Sequence, residues 1–195
     1  TRYLGHWRTL LEAMTASDTT AVDRLPLLTT SERARIIEMA SDGAAPSPPT
    51  ECVHDLFERQ AARTPDAVAV VQGDRRIAYA ELNARANRLA HHLRQLGAGR
   101  GELVGICAQR GVDMVVAMVA VLKAGAAYLP LDPSHPSDRL RRLAQDSAPL
   151  AVLVDDDRPA WAAGLVTVDL RAHDAWRRQP AGNPARPEGM TPDDP

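Results

Sequence analysis

Few side chains in this sequence combine the types and spacing that chemistry requires. The two cysteines, Cys52 and Cys107, lie far apart. That is neither a metal-ligand spacing nor a disulfide framework, and it fits a reducing, cytosolic compartment. No histidine lies near Cys107 in sequence to make it a nucleophile, so it reads as a buried structural thiol. His91 and His92 are adjacent. On a helix such neighbours point about 100° apart and do not grip one metal, so they read as a solvated face. His54 and Asp55, near Glu51 and Glu58, read as surface groups of a helix, and Asp155-Asp156-Asp157 as a solvated loop at a strand end. Gly97, Gly99 and Gly101 follow a helix and precede a strand, the reverse of a phosphate-cradling order. Met114 and Met118, four apart on an apolar helix, read as core. Lys123 stands in the last turn of that helix, where a cation favours the helix dipole. No residue is assigned a catalytic, cofactor-binding or metal-ligating role.

The elements that would position these groups follow from periodicity. Leu4, Trp7, Leu11 and Met14 form one apolar stripe on a helix. After Leu25-Pro26-Leu27-Leu28, Thr29 and Glu32 make a capping-box pair opening a helix to about Ala40, with Gly43 as its stop. Residues 43–50 are a Pro-rich connector. Residues 51–63 read as a helix with Val53, Leu56, Phe57 and Gln60 or Ala61 on one side. Val68–Val71 and Arg76–Ala78 flank a turn and read as a hairpin, and a helix runs from Tyr79 to Leu96. Strands at Leu103–Ala108, Ala127–Leu131, Leu150–Val154 and Val166–Leu170 then alternate with helices at Val112–Ala124 and Ser137–Asp146. That order predicts parallel βαβ units. The helix 112–124 is apolar nearly all round and must be covered on more than one side. From Gln179 onward five prolines and few bulky apolar side chains predict an exposed or disordered tail.

Composition narrows the partners. Hydrophobic residues are 45% and charged residues 25%, an ordinary globular balance, and a net charge of −2 gives no reason to expect nucleic acid or an anionic membrane. Aromatics are 4%, so Ala, Val and Leu must build the core. The longest apolar run, Met114 to Leu122, is too short for a bilayer, which needs about 20 residues. Residues Thr1 to Trp7 lack a secretory-signal pattern, and an opening without Met suggests a longer polypeptide.

Two stretches carry a resemblance. Leu122-Lys123-Ala124-Gly125-Ala126-Ala127-Tyr128-Leu129-Pro130-Leu131-Asp132-Pro133 resembles, almost position for position, the second core motif of amino-acid adenylation domains, members of the adenylate-forming superfamily. Ile77-Ala78-Tyr79-Ala80-Glu81-Leu82 resembles the first core motif, with Ala78 where the family usually has Thr or Ser. Ala cannot accept the capping hydrogen bond, an expected cost of about 1 kcal/mol. Residues 51–78 resemble the entry helix and hairpin of these domains, and residues 1–40 resemble the end of a condensation domain. The order is that of a nonribosomal peptide synthetase module.

The resemblance implies an α/β fold: a truncated N-terminal part of an adenylate-forming (AMP-binding) domain with parallel βαβ units, preceded by a short helical condensation-domain tail. It places the condensation tail at 1–42, the connector at 43–50, the adenylation part at 51–178 and the Pro-rich tail at 179–195. It implies a parent that activates an amino acid with MgATP as aminoacyl-AMP and loads it on a carrier-domain phosphopantetheine thiol. The family's phosphate loop is absent here; residues 191–195 look like the approach to it. The family's amino-acid pocket and catalytic lysine are absent too, so this chain alone is expected to be inactive, with no cofactor of its own. Its expected partners are the remainder of the adenylation domain and the neighbouring condensation and carrier domains, in the cytoplasm. One chain of a split enzyme and a non-catalytic interaction module are the alternatives; the condensation-like tail argues against a fatty- or aryl-acid ligase.

Overall fold

The computed structural model describes residues 2–16, 19–41, 51–155, 158–171, 176–187 and 189–191. The connector 43–50, and with it the expected stop at Gly43, lies outside them. The chain divides into two units, Thr1–Pro48 and Pro49–Pro195.

In the first unit, helix α1 (Arg2–Ala16) and helix α2 (Thr30–Ser41) are joined through a 3-10 turn at Val22–Arg24. The capping box forms: Glu32 N–H donates to Thr29 Oγ1 at 3.2 Å, and Thr29 N–H donates to Glu32 Oε2 at 3.1 Å. The Thr29 N–H bond, with a second from Thr29 Oγ1 at 2.9 Å, holds the Glu32 carboxyl below its ordinary pKa. The stripe on α1 is helical but uncovered, with Leu4 74% and Trp7 68% exposed, and no described side chain of this unit is buried.

The second unit opens with helix α3 (Val53–Arg63) and the antiparallel hairpin of β1 (Val68–Gln72) and β2 (Arg75–Ala78). Gly73 makes the tight turn at φ 58°. Helix α4 (Tyr79–Gln95) follows without a side-chain cap at Ala78. Its first N–H groups are satisfied from the preceding loop: Tyr79 N–H donates to the Ala67 carbonyl at 3.0 Å and Ala80 N–H to the Pro65 carbonyl at 2.9 Å. Tertiary backbone acceptors thus take the place of the missing hydroxyl.

The main sheet contains β3 (Leu103–Cys107), β4 (Ala127–Pro130), β5 (Ala151–Val154) and β6 (Thr167–Asp169) in the order β4-β3-β5-β6. All three pairings are parallel, as the alternation of elements predicts. Both faces are covered. Val104, Ile106 and Leu153 pack with α4 and with helix α5 (Val112–Ala124). Cys107, Val152 and Val154 pack with helix α6 (Ser137–Ser147) and Trp161. Strands buried on both faces read as continuous apolar runs, which is why 103–107 and 151–154 lack alternation. Gly105 fits this layer because a Cβ there would lie 3.0 Å from Leu131 Cδ1.

The exposure expected of the Pro-rich tail is borne out over 179–187, and residues 188 and 192–195 lie outside the described residues. Residues 179–187 are mostly exposed, but they follow a fixed course along α4. Prolines remove donors and leave carbonyls free, and α4 supplies the donors: Asn87 Nδ2 to Ala181 O at 2.7 Å, His91 Nε2 to Gly182 O at 3.0 Å and Arg94 Nη1 to Ala185 O at 2.6 Å. This segment is called the strap below.

Candidate functional site

In open parallel sheets, ligands bind outside the carboxyl ends of the strands where the connections diverge. Here β3 is flanked by β4 on one side and β5 on the other, which places that point at Cys107–Gly111 and Asp155. Two cavities lie there. One of about 600 Å³ is lined by Ile106, Met114, Met118 and Tyr128, with Arg110 and Asp132 among its polar groups. The other, about 230 Å³, is lined by Cys107, His135, Ser137, Asp155, Trp161 and Arg171.

The groups at this crevice are arranged to hold backbone. Asp155 is buried, not solvated as the acidic run suggested, and its Oδ2 accepts from Gln109 N–H at 2.7 Å, tying the ends of β3 and β5 together. Asp156 and Asp157 lie outside the described residues. Asp132 Oδ1 accepts from Ser134 N–H at 2.9 Å, and that backbone hydrogen bond holds its carboxyl below the usual range. Burial pushes the Cys107 thiol up to about 11, with the charges of Asp155 and Asp132 adding to the effect. A thiol with that pKa stays protonated at neutral pH and is no nucleophile. Met114 and Met118 line the larger cavity while packing on the core.

A second polar cluster lies at the other end of α5. Lys123 does not remain over its own helix terminus. Its side chain is fully buried, and Nζ donates to Glu58 Oε1 on α3 and to Asn183 Oδ1 on the strap at 3.3 Å, with the Phe57 ring 5.7 Å away. Arg94 instead serves the helix end, donating from Nη2 to the Lys123 carbonyl at 2.7 Å. Burial lowers the Lys123 pKa, and the hydrogen bond and charge of Glu58 oppose that shift. Gly125 closes α5 at φ 87°, and a Cβ there would lie 2.6 Å from Pro187 Cγ.

One surface reading on α3 is also corrected. His54 is 5% exposed, and burial lowers its pKa, so the imidazole stays neutral. Cys52, three residues before Asp55, is the N-cap: Asp55 Oδ2 accepts from Cys52 N–H at 3.1 Å. Cys52, His54 and Asp55 therefore bring one sulfur, one nitrogen and one oxygen within 4.8 Å of one another, a donor set able to take a metal. Arg186 already supplies positive charge there, with Nη1 3.2 Å from Asp55 Oδ2 and Nη2 donating to Cys52 Sγ at 3.3 Å. Cys52, His54 and Asp55 are neighbours in sequence, but Arg186 is remote in the chain and its place beside them was not legible there.

The loop holding Gly97, Gly99 and Gly101 leaves α4 and enters β3, so its N–H groups do not open a helix. Among the described residues no Gly-rich loop leads into a helix N-terminus, the arrangement that cradles a triphosphate.

Residues 57–194 match the family model described as AMP-binding enzyme. The chain is 45% identical over 178 residues to chondramide synthase cmdD of Chondromyces crocatus, covering 88% of this chain and 5% of that protein. It is 38% identical over 191 residues to tyrocidine synthase 3 of Brevibacillus parabrevis, covering 97% and 3%. Among solved structures it resembles the nonribosomal peptide synthetase FmoA3 in its alpha-methyl-L-serine-AMP bound form, with TM-score 0.72 and 29% identity over 98% of this chain and 22% of that one. The chain thus spans a small fraction of the length of the relatives it matches.

Proposed function

We propose, from the premise that this chain belongs to the AMP-binding enzyme family, that it is the opening part of an adenylation domain in a nonribosomal peptide synthetase. The parent domain joins an amino-acid carboxylate to the α-phosphate of ATP, releases pyrophosphate, and passes the aminoacyl group to a carrier-domain phosphopantetheine thiol. The observation that carries this reading is the segment Leu122–Pro133, folded as a helix end, a glycine stop and a parallel strand. Its place in a sheet resembling FmoA3 across 98% of the chain supports it. Residues 1–42 are read as the end of a condensation domain. The alignment with tyrocidine synthase 3 over 97% of the chain supports a synthetase origin for this segment.

The described residues do not fit MgATP by themselves, and no step of nucleotide chemistry is assigned to them. Their role is to build the sheet, close the crevice ends and anchor the strap. The chain alone is inactive in this reading, and the remaining adenylation, condensation and carrier domains are its partners. Among the described residues no helix is long and apolar enough to cross a membrane; the cytoplasm is the proposed location.

Amino-acid-dependent ATP–pyrophosphate exchange tests the proposal. The 195-residue chain is expected to give none, and the chain extended through the complete domain is expected to exchange with one amino acid or a few related ones. Exchange by the short chain overturns the claim that it is inactive alone. No exchange by the extended chain with any amino acid overturns the adenylation reading. Exchange restored by adding the missing portion as a separate polypeptide favours a split enzyme.

A further inference from the structure

We infer that Asn183 is a positioning residue for the adenylation reaction: it pins the strap to α4 and α5 and so sets where the following chain enters the rest of the domain. The inference rests on the function proposed above. Asn183 is itself exposed, yet its single Oδ1 gathers donors from two helices: Asn83 Nδ2 at 3.0 Å, Asn87 Nδ2 at 2.9 Å and Lys123 Nζ at 3.3 Å. Asn87 is completely buried and has both of its amide hydrogens on the strap, one to Asn183 and one to the Ala181 carbonyl. Lifting the strap would leave those donors without partners inside the protein, which opposes its release.

The contacts also fix register. Gln95, His91, Asn87 and Asn83 form one polar face of α4 at helical spacing, and they meet Gln179, Gly182, Ala181 with Asn183, and Asn183 in turn. The strap therefore runs antiparallel to α4 until Asn183. There Lys123 joins α5 to the same point, and Arg186 and Pro187 then meet α3 and Gly125. A slip of one residue would break the bonds made through the Gln179 and Asn183 side chains. In the function proposed above, groups that bind nucleotide lie in chain beyond the strap. A displaced strap would misplace those groups without touching substrate itself.

All three partners of Asn183 Oδ1 are donors, so an aspartate can replace it as acceptor and an alanine cannot. The test uses the full-length polypeptide carrying Asn183→Ala or Asn183→Asp, with exchange kinetics at varied MgATP. Asn183→Ala is expected to raise KM for MgATP and lower kcat/KM by roughly tenfold, while Asn183→Asp stays within about twofold of the parent. Strap cleavage by limited proteolysis should rise in Asn183→Ala alone. A fall in kcat that only follows the folded fraction, with KM unchanged, means a merely structural role and overturns the inference. Unchanged kinetics in Asn183→Ala, or no rescue by Asn183→Asp, overturns it as well. If the parent polypeptide shows no exchange, the adenylation reading fails. Proteolysis still decides the anchor in that case, and equal cleavage of both variants refutes it.

Discussion

Replacing Glu58 with Leu should strand a charge. The Lys123 side chain is 0% exposed and its carboxylate partner is 23% exposed. Removing one partner of a buried pair costs about 3–5 kcal/mol. The lysine has an escape, because releasing its proton at pH 7 from an ordinary pKa of about 10.4 costs about 4.6 kcal/mol, which caps the penalty. Phe57 and Asn183 still face Nζ, so a loss near the lower end, about 3 kcal/mol, is expected. Urea unfolding followed by circular dichroism reads it directly. The pH dependence has a definite sign. A lysine whose folded pKa is depressed loses its proton in the folded state first. Between that folded value and about 10.4 the unfolded chain binds more protons, so stability rises with pH. The direction already holds in the parent, where burial lowers the Lys123 pKa, and it should steepen in Glu58→Leu. Adding Lys123→Met removes the orphaned ammonium and should restore stability to within about 1 kcal/mol of the parent. A Glu58→Leu loss below about 1 kcal/mol with no recovery toward pH 10 would refute the reasoning.

Three further outcomes follow from the same contacts. Gly125→Ala must hold alanine at φ 87° and place its Cβ 2.6 Å from Pro187 Cγ; a loss of at least about 1–2 kcal/mol is expected, with faster proteolysis of the strap. Gly111→Ala would set a Cβ 2.5 Å from Gln72 Nε2 and displace the side chain whose Oε1 accepts from Val112 N–H at 3.1 Å. Its cost of about 1 kcal/mol should shrink sharply in a Gln72→Ala background, as urea unfolding of the double-mutant cycle would show. Cys107 should resist an aromatic disulfide reagent at pH 8 until the chain is unfolded. Its folded pKa of about 11 lies above the unfolded value, so stability should fall as pH rises from about 8.5 to 11, and Cys107→Ala should remove that fall.

Local chemistry was legible in the sequence; distant partners were not. The Thr29–Glu32 box, the helix Val112–Ala124 and the Gly125 stop each depend on neighbours within a few residues, and each forms at the expected place. The parallel sheet follows from the alternation of strand and helix. Lys123 shows where such reading ends. Its position in the last turn suggested the helix dipole, but Glu58, far back on α3, decides its environment. His54 failed for the same reason, because burial comes from tertiary cover that an acidic neighbourhood does not reveal. In the strap, prolines predict an exposed or disordered chain, and the α4 donors that hold it lie 91 to 94 residues away in sequence. One signal was present: Asn83, Asn87 and His91 recur at four-residue spacing and mark a polar face that needs a partner.

The segment Leu122–Pro133 identifies the family, and its side chains are largely committed to structure. Lys123 is held by Glu58 and Asn183. Gly125 is fixed by its backbone angle and by Pro187. Residues Ala127–Pro130 pair with β3, and Leu131 N–H donates to the Ile106 carbonyl at 2.8 Å. Asp132 turns the chain by accepting from Ser134. A residue that moves protons or holds a nucleotide must have an atom free to do so; Lys123 Nζ already has its partners in the fold, whereas Asp132 is exposed and lines the larger cavity. The segment instead joins α3, the sheet and the strap at one place. Its constraint is therefore geometric, and a charge-preserving change at Lys123 tests this. Lys123→Arg keeps the positive charge but brings a larger planar head into a buried space shaped by Phe57, Glu58 and Asn183. It should destabilise the unit by about 1–3 kcal/mol in urea unfolding; a variant as stable as the parent would show that charge alone suffices there.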